Sequence, residues 1–187
     1  VLYQDGSTLD IVDSIFEYLG SDRSSAYGVS WRTGGSNGTV SDSTFQHNFF
    51  GMYSYEAADL VFTDNTFKDN VYYGVDPHDR SHNLVFRGNV FENNGSHGAI
   101  VSKEVSATTF QDNRSVGNGG NGFVIDSDSF DVLIEGNLAA NNAIDGIVVL
   151  NSRRNSIINN EVRENRVGIR INGDRSTGNV IEGNTLD

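Results

Sequence analysis

Short apolar segments alternate with polar residues along the whole chain and recur at a nearly fixed interval. Phe123-Val124-Ile125, Ile147-Val148-Val149 and Ile169-Arg170-Ile171 each follow a glycine. Those glycines belong to one series, Gly28, Gly51, Gly74, Gly98, Gly122, Gly146 and Gly168, with spacings of 23, 23, 24, 24, 24 and 22. A second series, Asn65, Asn89, Asn113, Asn137, Asn160 and Asn184, is spaced 24, 24, 24, 23 and 24. It opens segments such as Asn89-Val90-Phe91-Glu92-Asn93-Asn94 and follows a third set of apolar triplets, among them Leu84-Val85-Phe86 and Val132-Leu133-Ile134. No apolar run keeps a 3.6-residue period for three turns, so amphipathic helices do not account for the pattern.

Three short strands per period, joined by Asn/Gly turns, predict an all-β right-handed parallel β-helix, a solenoid of about 22–24 residues per coil. Coils of this kind stack at roughly 4.8 Å. Asn suits the turns because it tolerates left-handed backbone geometry, and Asn side chains stacked in register can form a hydrogen-bonded ladder. Residues 1–187 read as a single domain. Val1 opens without a capping helix and Asn184-Thr185-Leu186-Asp187 stops inside a new coil, so a module of a longer solenoid is expected.

Stacking turns positions into columns. One and three places after each glycine the residues are largely apolar (Val29, Met52, Val75, Ala99, Phe123, Ile147; Trp31, Val101, Ile125, Val149) and are expected in the core. Two and four places after come Ser30, Tyr53, Asp76, Ile100, Val124, Val148 and Arg32, Tyr55, His78, Ser102, Asp126, Leu150, expected to face outward. The only proline, Pro77, sits in a core-facing column inside Tyr73-Gly74-Val75-Asp76-Pro77-His78-Asp79-Arg80. Proline removes a ladder donor and is normally kept out of a central strand, and breaches of local rules concentrate at functional sites. On this reading Tyr73, Asp76, His78, His97, Ser102, Lys103, Tyr55 and Glu56 converge on one face, joined by Arg80, Arg87 and Arg114.

Composition narrows the function. There is no Cys, which excludes disulfides, thiolate metal sites and a Cys nucleophile. The net charge of -12 excludes a general nucleic-acid binder and requires a local basic patch for any polyanionic ligand. No apolar run reaches membrane-spanning length, so no membrane partner is expected, and a monomer is. Asp126-Ser127-Asp128 lacks the ligand series and bidentate Glu of a calcium loop and reads as a solvated turn.

Residues 73–82, YGVDPHDRSH, resemble the DPHD signature of the mannuronan C5-epimerases, enzymes that convert mannuronate to guluronate within alginate. HNFFGMYSYEA (47–57), HGAIVSKE (97–104), DNRSV (112–116) and YLGSDRSSAYGVSWR (18–32) are similar to the corresponding segments of its periplasmic members, in order, over residues 10–170. The resemblance implies a groove for alginate or polymannuronate along the solenoid, a periplasmic or secreted location, His78 as catalytic base, and Lys103 as the cation that neutralises the uronate carboxylate. Periplasmic members more typically carry Arg where Lys103 stands, which keeps the charge and loses the bidentate fork. No cofactor is expected. Calcium enters only by analogy with secreted members, whose Asp/Gly nonapeptide repeats do not occur here.

The chemistry asks for the same residue types independently. C5-epimerisation removes a proton α to an ionised carboxylate and returns one to the opposite face. A cation or hydrogen-bond donors must hold the developing dianion: Lys103, Arg80 and protonated Asp76 or Asp79 can do so. A base and an acid must flank the ring. His78 titrates in the useful range, Asp76 could orient it, and Tyr73 or water could return the proton. His97, Ser102, Tyr55, Glu56, Arg114 and Asp126 are expected to contact substrate, and His82 and Arg87 to be surface charges. Two readings compete: a polyuronate lyase, which expels the C4 oxygen by β-elimination, and a non-catalytic polyuronate-binding β-helix.

Overall fold

The computed structural model describes residues 2–4, 6–33 and 35–187, with side chains described from residue 6 onward. Among the described residues there are strands and turns and no helix. The strands form three parallel sheets of eight, and successive strands of the chain fall into successive sheets. Around the centre, one coil runs from Val75–His78 in the first sheet to Val85–Arg87 in the second and Val90–Glu92 in the third. The next coil repeats this with Ala99–Val101, Thr109–Gln111 and Arg114–Val116.

Two side-chain systems lock the coils in register. Phe62, Phe86 and Phe110 stack inside the solenoid with ring centroids 4.9 and 4.8 Å apart. Phe45, Phe67 and Phe91 do the same at 4.8 and 5.5 Å. Offset stacking of this kind adds to the burial of each ring. The Asn series forms the expected ladder: Asn65 Nδ2 donates to Asn89 Oδ1 at 3.0 Å, and the contact repeats through Asn113, Asn137, Asn160 and Asn184. A second, unanticipated ladder runs through Asn70, Asn94, Asn118, Asn142 and Asn165. These buried amides also cap carbonyls at the corners, as Asn89 Nδ2 does for Phe62 O at 2.9 Å, which leaves few orphaned polar groups inside.

The glycine column has a steric cause. A Cβ on Gly74 would lie 2.4 Å from Gly98 O and 3.0 Å from Asn94 Nδ2, so the backbone at this corner passes too close to the next coil for any side chain.

The core columns lie where the periodicity put them, with Val29, Trp31, Met52, Val75, Val101, Ile125 and Val149 inaccessible to solvent. The position two after each glycine differs from expectation. Ser30, Tyr53, Asp76, Ile100, Val124 and Val148 are all buried, although they project from the outer face of the first sheet. Neighbouring coils and flanking columns cover them, and Tyr73 and Leu150 pack on the Ile100-Val124-Val148 stack.

Candidate active site

Pro77 has a visible consequence for the first sheet. Its strand is fully paired to the preceding coil, with Asp76 opposite Tyr53, Pro77 opposite Ser54 and His78 opposite Tyr55. Toward the following coil the ladder holds at Val75–Ala99, is interrupted, and resumes as a single bridge between His78 and Ser102. Proline has no N–H to donate across that gap. The strand ends immediately after, because Asp79 and Arg80 both take positive φ, 42° and 59°. Lys103 and Glu104 repeat that turn one coil later, at 60° and 64°.

The turn folds the Asp79 carboxylate back against His78 Nδ1 in a short, charge-assisted contact. Sequence reasoning gave the orienting role to Asp76; in the structure Asp79 occupies that position. With Nδ1 facing Asp79 as a donor, the ring presents Nε2 as its free basic nitrogen, the arrangement used to fix a histidine tautomer. Burial pushes the His78 pKa down, outweighing the Asp79 hydrogen bond that pushes it up. The imidazole is therefore held neutral at pH 7. Tyr53 Oη lies 3.5 Å from the same Nδ1, a contact at the outer limit of hydrogen bonding.

Asp76, two residues earlier on the same strand, is fully buried, and its Oδ1 has no hydrogen-bond partner. Burial, reinforced by the negative charge of Asp79, raises its pKa well above the carboxylate range, and Lys103 offsets this only in part. Burial thus favours the neutral form of Asp76, which can donate a hydrogen bond. His78 ends the strand that carries Asp76, and Tyr73 precedes it in the chain. Tyr73 stacks face to face on His97 at 5.2 Å, and burial holds its phenol protonated.

His97 accepts the Asn121 backbone N–H at Nδ1, 3.0 Å, and burial lowers its pKa to about 4. It is a neutral ring that supports Tyr73. Asp126 lies close enough to oppose that lowering, and its Oδ1 accepts the Ser127 N–H at 2.6 Å. Ser102 is buried, and its backbone N–H donates to Pro77 O at 3.1 Å, so it supports the interrupted strand.

A cleft of about 240 Å³ opens beside His78 and Asp79, lined also by Ser24, Ser25, Tyr27, Arg32, Tyr53, Tyr55 and Lys103, whereas Tyr73, Asp76, His97, Ser102 and Asp126 are not part of its lining. Lys103 reaches it from the next coil, and Tyr55 sits between Arg32 and His78 in the strand register.

Other predicted residues fall elsewhere. Arg80 is ion-paired with Glu56 and lies 3.9 Å from Glu104, so Arg80 and Glu56 neutralise each other at the turn. Arg114 projects, exposed, from the third sheet, and Arg87 bonds Gln111 at 3.2 Å on the second. The basic patch expected across 80–114 is therefore divided among three faces, because those residues belong to different strands of their coils.

Sequence reasoning missed Arg32, Tyr53 and the Ser24–Ser25 segment as site residues. Arg32 and Tyr53 stand in the same outward columns as His78 and Asp76, a signal already present in the repeat. The segment lies in a non-repeating loop, closed by Ser21 N–H to Ala26 O at 2.6 Å, and has no periodic signal.

The chain is similar to several known proteins. Residues 1–114 match the family described as "Right handed beta helix region", and residues 78–187 match "Periplasmic copper-binding protein (NosD)". The copper of the second description finds no donor set here: the chain has no Cys, its one Met is buried, and no three His, Asp or Glu side chains among the described residues converge for a metal. The mannuronan C5-epimerase of Pseudomonas aeruginosa is 40% identical over 88 residues, 41% of this chain and 16% of that protein. Mannuronan C5-epimerase AlgG of Azotobacter vinelandii is 42% identical over 74 residues, 34% of this chain and 14% of that protein. The crystal structure of the periplasmic alginate epimerase AlgG superposes on 98% of this chain and 46% of that one, at 33% identity and a TM-score of 0.94. The chain thus spans under half of the solved relative and a smaller share of the curated ones. The A-module of the Azotobacter vinelandii epimerase AlgE6, at 19% identity and a TM-score of 0.66, shares the fold. With its three eight-stranded parallel sheets and its site of DPHD residues on one of them, the chain belongs to the right-handed β-helix family and is homologous to mannuronan C5-epimerases.

Proposed function

We propose that these coils carry the active site of a periplasmic mannuronan C5-epimerase acting on alginate. The observation that carries this reading is His78: a neutral imidazole whose Nδ1 is held by Asp79, beside a cleft that also contains Lys103.

In this reading His78 Nε2 removes the C5 proton of a mannuronate residue, and the released electron pair delocalises into the C6 carboxylate. The dianionic ene-diolate is held by the Lys103 ammonium and by the neutral carboxyl of Asp76, donors fixed before the reaction begins. Tyr73 gives a proton to the opposite face of C5, producing guluronate. His78 then loses its proton to solvent and Tyr73 regains one, which restores both groups. General acid–base assistance of this kind is worth about 10²–10⁴-fold in rate.

Polymannuronate incubated with the protein and followed by proton NMR tests the reading. Guluronate signals should appear at constant chain length, and in D₂O deuterium should enter C5. Unsaturated chain ends without guluronate would instead identify a lyase, and an unchanged polymer a binding module.

A further inference from the structure

Five of the eleven arginines on this acidic surface are ion-paired. Arg80, Arg154, Arg163, Arg170 and Arg175 each stand against a carboxylate. Arg32 has no carboxylate within ion-pair distance among the described residues, and neither has Lys103, and these two cations line the same cleft. A cation left uncompensated beside a cleft in a chain of net charge -12 is a site waiting for an anion.

The guanidinium is also held in position. Its NH1 donates to Ser25 Oγ at 3.1 Å, and its carbon lies 4.8 Å from the Tyr53 ring centre and 5.9 Å from that of Tyr27. Its Nε is buried and lacks a partner. Orienting contacts of this sort lower the entropy lost when a planar fork grips a carboxylate.

The register gives its place relative to the chemistry. Arg32 pairs with Tyr55 and Tyr55 with His78, so Arg32 stands two coils from the base in the same column, roughly 10 Å away. Lys103 belongs to the coil on the other side.

We propose that Arg32 is a second carboxylate-binding subsite, which grips a uronate further along the same polymer while Lys103 holds the carboxylate of the reacting one. The inference rests on the epimerase reading for the identity of the ligand. It makes the ligand a run of uronates rather than a single sugar, and it places the recognised charges on one side of an extended chain.

The test uses binding, so that it stays separate from turnover. In a His78→Asn background, oligomannuronate affinity is measured by calorimetry with Arg32 intact, Arg32→Ala and Arg32→Lys, alongside the same oligomers with their carboxylates reduced to alcohols. Arg32→Ala should weaken binding of the charged oligomer ten- to a hundredfold, flatten its salt dependence, and leave the reduced oligomer unchanged. Arg32→Lys should recover part of the loss, which also shows that the site folds. Equal affinities for Arg32 and Arg32→Ala, or equal losses on charged and reduced oligomers, overturn the subsite. Absence of epimerisation by the unmodified protein overturns the functional reading and leaves this comparison of charged with neutral ligand intact.

Discussion

Two stretches of the first sheet's outer face share one backbone and one register and have opposite chemistry. In the coils of Gly28–Arg32, Phe50–Tyr55 and Val75–His78, the outward columns present Arg32, Tyr53, Asp76 and His78. In the coils of Ala99–Val101, Phe123–Ile125 and Asp145–Leu150, the column two places after the glycine presents Ile100, Val124 and Val148, a dry aliphatic stack. Both stretches bury that column, and only in the first does it hold ionisable groups, Tyr53 and Asp76. Burial in the second is satisfied by dispersion contacts. In the first it is turned into pKa shifts, downward at His78 and upward at Asp76. The scaffold is periodic, and the site is where the side chains stop being so.

The contrast should break most sharply at His78. His78→Asn keeps a polar group at the strand end and removes the base, so epimerisation should fall about 10³-fold or more, while the denaturation midpoint stays within experimental error of the parent. Turnover by that variant comparable with the parent would detach His78 from the chemistry.

Lys103→Ala should come next. Loss of one preorganised charge costs about 10²–10³ in rate, and the loss should appear in kcat on polymannuronate with little change in stability, because Lys103 is exposed. An unchanged kcat would remove Lys103 from the ene-diolate.

The aliphatic stretch should behave in the opposite way. Val124→Ala deletes two buried methyl groups and should destabilise the fold by about 1–3 kcal/mol in urea, with the turnover of the folded fraction preserved. A variant as stable as the parent would mean that the outer stack contributes no packing.

The smallest effect separates the two stretches by pH. His97 titrates near 6.5 when unfolded and near 4 when folded, so the unfolded chain binds a proton that the folded chain refuses. Stability is therefore full above pH 6.5 and declines as pH falls toward 4, by about 2 kcal/mol after allowance for partial exposure. His97→Gln should flatten that decline between pH 7 and 5. An identical slope in the variant would show that His97 does not titrate as its burial requires.

Much of this was legible before any coordinates. The glycine and asparagine periods identified coils, columns and one amide ladder, because a solenoid repeats its sequence wherever it repeats its backbone. The second ladder escaped notice because its asparagines are interleaved with other polar residues, as in Asn93-Asn94, and only one of such a pair points inward. Arg114 and Arg87 looked close to His78 in sequence and lie on other sheets, since distance along a coil exchanges one face for another within a few residues.

Sequence alone determined the parallel β-helix, its coil length, its core columns and the coil that bears His78, since these follow from residue type and spacing repeated seven times over. Only the tertiary structure decided which carboxylate serves which group. Asp79 turns back onto His78 because two consecutive residues adopt positive φ, and the Asp76 carboxyl is pushed toward its neutral form because the neighbouring coils exclude water from it. Such pairings depend on local turns and on desolvation, which are properties of the folded neighbourhood and leave no period in the chain.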